Sequence, residues 1–345
     1  MKKYNVAILG ATGAVGQELL NLIEERSFPF NELKLLASER SAGKVIHFMG
    51  KDYVVEAAKP DSFKDTHIAL FAGGSTSKTL APEAVKCGAV VIDNSSAFRM
   101  DPDVPLVVPE VNPEALKNHK GIIANPNCST IIMVMALKPI YDAVKIKRIV
   151  VSTYQAVSGA GKEAIDELTD QVTAIMEKRP VEANILPSAS LPKHYQIAFN
   201  LLPQIDVFVD DDYTKEEMKM VHETHKILND DTIGITATTV RVPIYRSHSE
   251  SVNIELNGPL TPQEAKRLLA AFPGVIVQDN PEEMLYPMPL YTSDRNEVYV
   301  GRIRADKSVP HGLNMWVVGD QIRKGAALNA MQIAEYMVEH NLIEV

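Results

Sequence analysis

The chain has 345 residues, 46% hydrophobic and 23% charged, with a formal net charge of −9. This is the composition of a globular enzyme of two domains or one large α/β body, and the negative balance excludes nucleic acid and anionic membrane as partners. No apolar run reaches the roughly 18 residues of a membrane span. Two cysteines, Cys87 and Cys128, make no disulfide framework, and "MKKYNVAILGATG" leads into a glycine motif rather than a cleavage site. The expected compartment is the cytoplasm.

Up to about residue 125, short apolar strands alternate with helical patterns. The strands are 4–10, 33–38, 67–74, 89–96, 105–111 and 121–126, and the helices are 14–26 and 77–88. Continuous Val/Ile/Leu runs suit strands buried on both faces of a parallel sheet, so this region reads as a Rossmann-type doubly wound α/β sheet. From 146–157 onward the texture changes. Segments 232–244, 249–257, 297–306 and 312–320 alternate apolar with polar residues, which predicts an antiparallel sheet with one wet face. Helical stretches lie near 162–178 and 262–272, and an amphipathic helix over 325–343 closes the chain. The expected organisation is a dinucleotide-binding domain, 1–129 with 321–345, and a C-terminal α+β domain with a mainly antiparallel sheet, 130–320.

"VAILGATGAVGQELL" places Gly10, Gly13 and Gly16 between a strand and a helix. Glycines let a phosphate approach backbone N–H groups, and the helix N-terminus adds partial positive charge. The spacing is a variant of the dinucleotide fingerprint, and Thr12, Ala14 and Val15 share the loop. At the end of the second strand, Ser38, Arg40 and Ser41 form an anion nest suited to the 2′-phosphate of NADP, while Glu39 is the residue that would suit NAD. Gly73 and Ser75, after the third strand, are expected against the same cofactor.

The thiol of Cys128 stands in "ANPNCST", between an apolar strand and an apolar helix. That junction exposes sulfur at the carboxyl edge of the sheet, and the helix start favours thiolate. Cys87, at a helix end, reads as packing.

The segments "GATGAVG", "NSSAFR" (94–99), "PNCST" (126–130), "STYQAVSGAG" (152–161), "VRVP…HSES" (240–251) and "VVGDQIRKGAALNA" (317–330) occur in this order. Together they resemble aspartate-β-semialdehyde dehydrogenase, over nearly the whole chain. The resemblance implies NADP-dependent reductive dephosphorylation of aspartyl phosphate to aspartate semialdehyde through a cysteine thioester. That step serves lysine, threonine, methionine and isoleucine biosynthesis. It also implies a homodimer or homotetramer built on a dimerisation domain.

By the same resemblance Cys128 is the nucleophile and His248 the acid–base residue, and Gln155 and Asn127 orient the substrate. Arg241 meets the α-carboxylate and Arg99 the phosphate. Glu216 meets the substrate ammonium and Lys219 helps hold phosphate, with Glu217 the alternative to Glu216. Asn94, Ser158, Gly159 and Gln321 fall on the cofactor side, Gln321 as the holder of the nicotinamide amide. No metal is called for. The alternatives are an N-acetyl-γ-glutamyl-phosphate reductase, whose substrate lacks the cation that Glu216 would meet, a Cys/His acyl hydrolase, and a non-catalytic NADP-binding protein.

Overall fold

The computed structural model describes residues 2–343. Residues 1 and 344–345, at the two ends of the expected nucleotide domain, lie outside the described residues. The chain divides into two compact units. One runs up to Asn127 and resumes at Gly325; the other is Cys128–Lys324.

The first unit contains β1 (Tyr4–Leu9), α1 (Ala14–Glu25), β2 (Phe30–Ala37), a small hairpin of β3 (Val45–Phe48) and β4 (Lys51–Val54), β5 (Glu56–Ala57), β6 (Ile68–Phe71), α2 (Ser77–Lys86), β7 (Val90–Asp93) and β8 (Ile122–Ala124). Its sheet has the order β5-β2-β1-β6-β7-β8, with every neighbouring pair parallel. All residues of β6 and β7 are buried, which is why these strands read as unbroken apolar runs. The chain leaves β1 toward β2 on one side, and β6 flanks β1 on the other. The crevice of such a sheet opens at the carboxyl ends of the two strands where the order reverses, here β1 and β6.

The segment 105–111 is not the strand its apolar run predicts. It makes a single bridge, Leu106 to Ala124. Pro105 and Pro109 bring no N–H to a ladder. The Asn112 side chain takes over the pairing, accepting from the Val108 N–H at 2.9 Å and donating to the Leu106 carbonyl at 2.9 Å.

The second unit contains α3 (Cys128–Val144), β9 (Ile146–Gln155), α4 (Lys162–Met176), α5 (Lys215–Leu228), β10 (Gly234–Arg241), β11 (His248–Leu256), α6 (Pro262–Ala270), β12 (Val275–Val277), α7 (Pro289–Thr292), β13 (Val298–Asp306) and β14 (Gly312–Gly319). The sheet order is β10-β9-β11-β14-β13-β12. The inner pairings are antiparallel. The outer two, β9 with β10 and β12 with β13, are parallel, so the expected antiparallel pairing of 232–244 is corrected. A connection carrying α4 and α5 separates β9 from β10, and parallel neighbours need a crossover of that kind.

Helix α3 lies on this sheet, against β9, β11, β13 and β14, with α5 and α6 beside it. Ile131–Leu137 have no exposed surface at all, so the helix is apolar all round. Each large side chain in that run stabilises the unit by about 1.5–3 kcal/mol. The closing helix is shorter than 325–343: a π turn at Arg323–Ala327 precedes α8 (Leu328–Glu339), which packs on α1 and β7 of the first unit.

Candidate active site

Cys128 is the first residue of α3, so its thiol stands at the start of a 17-residue helix. The polar residues around it are withdrawn from water: Asn125, Asn127, Ser129 and Thr130 are all buried. Strands β9, β10 and β11 end beside one another in the same unit and bring three further groups together. Gln155 ends β9, Arg241 ends β10 in register with it, and His248 opens β11.

Their side chains converge. The Ala156 N–H donates to His248 Nδ1 at 3.1 Å, and Arg241 Nη1 donates to the Ala156 carbonyl at 2.7 Å. The backbone of one residue, Ala156, thus fixes both the imidazole and the guanidinium. Because Nδ1 accepts that N–H, the neutral imidazole carries its proton on Nε2, the nitrogen 3.4 Å from the Gln155 amide. Gln155 is aimed by Thr153, whose hydroxyl donates to its Oε1 at 2.9 Å, and its Nε2 donates to Glu216 Oε1 at 3.2 Å. Gly159 leaves room for the cluster: a Cβ there would stand 3.0 Å from Arg241 Nη1 and 3.3 Å from His248 Cε1.

Burial governs the electrostatics. His248 has no exposed surface, and its pKa is pushed down to about 3, first by burial and then by the Arg241 cation, with Glu216 opposing. Burial also lowers Arg241, against the attraction of Glu216 and of the Cys128 thiolate. Arg241 remains a cation, since guanidinium holds its proton throughout the working range.

The adjacent carboxylates Glu216 and Glu217 have different surroundings. Glu217 is structural: its Oε2 accepts from the Thr214 N–H at 2.7 Å in a capping box, and its Oε1 from the Thr239 N–H at 2.9 Å. Glu216 faces the cluster and pairs with Lys219 at 3.0 Å. Lys219 also reaches Asp206 at 3.1 Å.

The first unit holds the remaining expected residues. Gly10 has φ +85°, a conformation natural to glycine. A Cβ on Gly16 would stand 2.2 Å from the Gly10 carbonyl, so this glycine serves close helix–strand packing. Gly13 is the N-cap of α1, where no side chain caps the helix and no acid occupies the first turn. The amides of Ala14 and Val15 therefore open a helix with unopposed positive character, a cradle that fits a pyrophosphate. Gly73 has φ +108° and, with the exposed Ser75, follows β6 on the other side of the crevice. Ser38 and Arg40 are exposed at the turn after β2, and the Thr12 hydroxyl reaches the buried Ser41 at 3.5 Å.

Arg99 belongs to this unit too. It is buried, donating to the Asn125 carbonyl at 2.9 Å and the Asn94 carbonyl at 2.8 Å. Asn94 spends its side chain on scaffolding, donating to the Phe71 carbonyl at 2.8 Å and accepting from Asn125 at 2.8 Å.

Sequence reasoning overlooked Ala156, Ser247, Asp206, Asp320 and Glu250. Glu250 has no exposed surface and neither oxygen has a hydrogen-bond partner; burial raises its pKa well above the usual carboxylate range. Its signal was present in "HSES": two strand positions beyond His248 lies the same face.

A parallel dinucleotide-type sheet with a glycine cradle, and a second unit whose buried His/Arg/Glu cluster interacts electrostatically with the half-buried Cys128, define a class of cysteine-dependent, dinucleotide-binding protein. The semialdehyde dehydrogenase NAD binding domain matches residues 5–119, and the semialdehyde dehydrogenase dimerisation domain matches 137–324. Aspartate-semialdehyde dehydrogenase of Aquifex aeolicus is 59% identical over 344 residues, covering 99% of each chain. The crystal structure of aspartate semialdehyde dehydrogenase II complexed with ASA from Vibrio cholerae matches with TM-score 0.93 and 49% identity, over 98% of this chain and 99% of that one. The aspartate semialdehyde dehydrogenase with NADP from Candida albicans matches with TM-score 0.77 and 26% identity, over 99% of this chain and 100% of that one. The chain belongs to the aspartate-semialdehyde dehydrogenase family.

Proposed function

We propose that the protein catalyses the reversible, NADPH-dependent reductive dephosphorylation of L-aspartyl 4-phosphate to L-aspartate 4-semialdehyde. The observation that carries this reading is the buried cluster of Gln155, Glu216, Arg241 and His248, with Cys128 acting electrostatically on Arg241. Bound NADP(H) supplies or accepts the hydride that interconverts thioester and thiohemiacetal.

The chain's own residues do the rest. In the oxidative direction the Cys128 thiolate adds to the aldehyde carbon, and the carbonyl electron pair moves to oxygen. His248 presents Nε2–H to that oxygen, and Gln155 and Asn127 orient the substrate around it. After oxidation, phosphate attacks the thioester carbon and the sulfur leaves as thiolate; synthesis runs these steps in reverse. Arg241 forks onto the α-carboxylate, which offsets the smaller of the two causes that depress His248, burial being the larger. Glu216 meets the substrate ammonium. Lys219 and Arg99 hold phosphate.

On the cofactor side, Gly10, Thr12, Gly13, Ala14, Val15 and Gly16 cradle the pyrophosphate, with Gly73, Ser75 and Asn94 across the crevice. Ser38, Arg40 and Ser41 take the 2′-phosphate, which favours NADP over NAD. Ser158, Gly159 and Gln321 form the nicotinamide end. The domain boundaries of this reading are 1–129 with 321–345 and 130–320. The protein works as a homodimer or homotetramer in the cytoplasm. Support for self-association comes from a patch of the second unit where Phe199, Leu201 and Phe208 are more than half exposed. Among the described residues no helix is long and apolar enough to cross a membrane.

The test follows reduced-cofactor absorbance with NADP, phosphate and aspartate semialdehyde, then with N-acetylglutamate semialdehyde as competitor. Phosphate-dependent reduction with the aspartyl substrate supports the reading. No reduction, or preference for the acetylated substrate, overturns it.

A further inference from the structure

Arg99 is hung on backbone. Its Nε donates to the Asn125 carbonyl at 2.9 Å and its Nη2 to the Asn94 carbonyl at 2.8 Å. Guanidinium is planar, so two bonds to two carbonyls fix the plane in which the whole fork lies. The aim of Arg99 is therefore set by whatever holds those two carbonyls.

Asn94 and Asn125 directly follow the neighbouring strands β7 and β8. Their own N–H groups make the last bonds of the sheet, Asn94 to the Phe71 carbonyl at 3.0 Å and Asn125 to the Asp93 carbonyl at 2.8 Å. Past that edge, side-chain amides carry the order onward. Asn125 Nδ2 donates to Asn94 Oδ1 at 2.8 Å, and Asn94 Nδ2 donates to the Phe71 carbonyl at 2.8 Å. Asn329, on α8, donates from Nδ2 to Asn125 Oδ1 at 2.6 Å and to the Val107 carbonyl at 2.9 Å. Three amides thus run head to tail across the carboxyl ends of β8, β7 and β6, each donating to the next. Every member belongs to the first unit. Asn125 and Asn329 have no exposed surface, so water cannot replace a lost partner cheaply.

We propose that Asn329 is a positioning residue for Arg99, acting through Asn125. This rests on the reading of Arg99 as a holder of phosphate. The Asn329 donor keeps the Asn125 amide turned so that its own Nδ2 meets Asn94, and the two carbonyls that aim the guanidinium stay in place. Without that donor the Asn125 amide can turn over, and the fork keeps its charge but loses its aim.

The test measures initial rates in the oxidative direction on the intact enzyme, varying phosphate, aspartate semialdehyde and NADP separately. Asn329→Leu keeps the branched shape and removes both donated bonds; Asn329→Ser keeps one hydroxyl donor and carries the test if the leucine variant does not fold. Arg99→Ala, alone and combined with each, is the reference. The KM for phosphate should rise about three- to tenfold in Asn329→Leu, the value of one hydrogen bond, and less in Asn329→Ser. The other two KM values and kcat should stay within about twofold. Arg99→Ala should raise the phosphate KM about ten- to a hundredfold, and adding an Asn329 variant to it should raise that KM no further. An unchanged phosphate KM in both Asn329 variants, even with a lowered melting temperature, overturns the proposal, as do equal rises for all three substrates. An unchanged phosphate KM in Arg99→Ala overturns the phosphate reading of Arg99, and the proposal with it. A wild-type enzyme inert toward aspartate semialdehyde overturns the reaction assignment instead, and phosphorus NMR line broadening of inorganic phosphate on the same variants then decides the role of Asn329.

Discussion

The two units carry their site residues by opposite means. In the first, the cradle is backbone: glycines at 10, 13 and 16, a helix start with no side-chain cap, and exposed Ser38 and Arg40. In the second, the cluster is side chain: Gln155, Glu216, Arg241 and His248 are each at most 5% exposed and hold one another. A backbone cradle tolerates change wherever no atom stands in the way. A buried polar cluster loses the partners' hydrogen bonds with any one member. Substitutions in each region put that difference to the test.

The largest effect is expected at the head of α3. Cys128→Ser should lower turnover by about a thousandfold or more, because a serine hydroxyl stays protonated near neutral pH, while NADP binding remains intact by titration. Turnover near the wild-type rate would remove the thioester.

Within the cradle the glycines should separate. A Cβ at Gly16 meets the Gly10 carbonyl at 2.2 Å, whereas at Gly13 its nearest contact is an ordinary 3.4 Å. Gly16→Ala should cost about 2–4 kcal/mol of stability, the scale of backbone displacement in a packed site. Gly13→Ala should leave the melting temperature nearly unchanged and weaken NADP. Equal melting shifts would show that packing is not what Gly16 serves.

In the second unit the neighbouring acids offer the same contrast. Glu216→Gln should lower kcat/KM for aspartate semialdehyde by about ten- to a hundredfold, the value of a charge-assisted pair, with little change in melting. Glu217→Gln should do the reverse, costing about 1 kcal/mol through its cap. Swapped outcomes would exchange their roles.

The cluster's burial also predicts a pH response. His248 has its folded pKa depressed to about 3 from 6.5. The unfolded chain then binds the extra proton between those values, so the stability tied to neutral His248 is complete above 6.5 and is lost as pH falls toward 3. The slope is about 1.4 kcal/mol per pH unit. Glu250 is shifted the other way, so its contribution is complete below the ordinary carboxylate pKa and lost as pH rises through the elevated one. Chemical denaturation across pH should show the loss of stability on acidification reduced in His248→Asn, and the loss as pH rises above the ordinary carboxylate range reduced in Glu250→Gln.

The smallest effect belongs to the exposed turn after β2. Arg40→Ala should weaken NADP by about tenfold or less, since an exposed charge is screened, and leave NAD unchanged. Equal losses would point to Glu39 as the residue that reads the ribose.

Much of this was legible in the linear chain because some chemistry is local. The period of apolar residues told the parallel sheet from the mainly antiparallel one. The glycine spacing after β1 marked the cradle, and the Cys128 junction showed itself through Asn127, Ser129 and Thr130. The apolar run at 105–111 misled because prolines and Asn112 override a strand pattern through their own hydrogen bonding. The parallel pairing of β10 was hidden because alternation reports which face is wet, not which way the neighbour runs.

The sequence by itself determined the fold class, the family and the types of reactive group, since each depends on neighbours a few residues apart. Only the tertiary structure decided how those groups are poised. Glu216 and Glu217 are adjacent in the chain, yet one caps a helix and the other faces the cluster. His248 is buried and neutral because strands distant in sequence enclose it beside Arg241. Gln321 bonds Ser158 and Ser247 because the ends of β9, β11 and β14 meet. Burial and hydrogen-bond geometry are sums over residues far apart in the chain, so no local pattern can carry them.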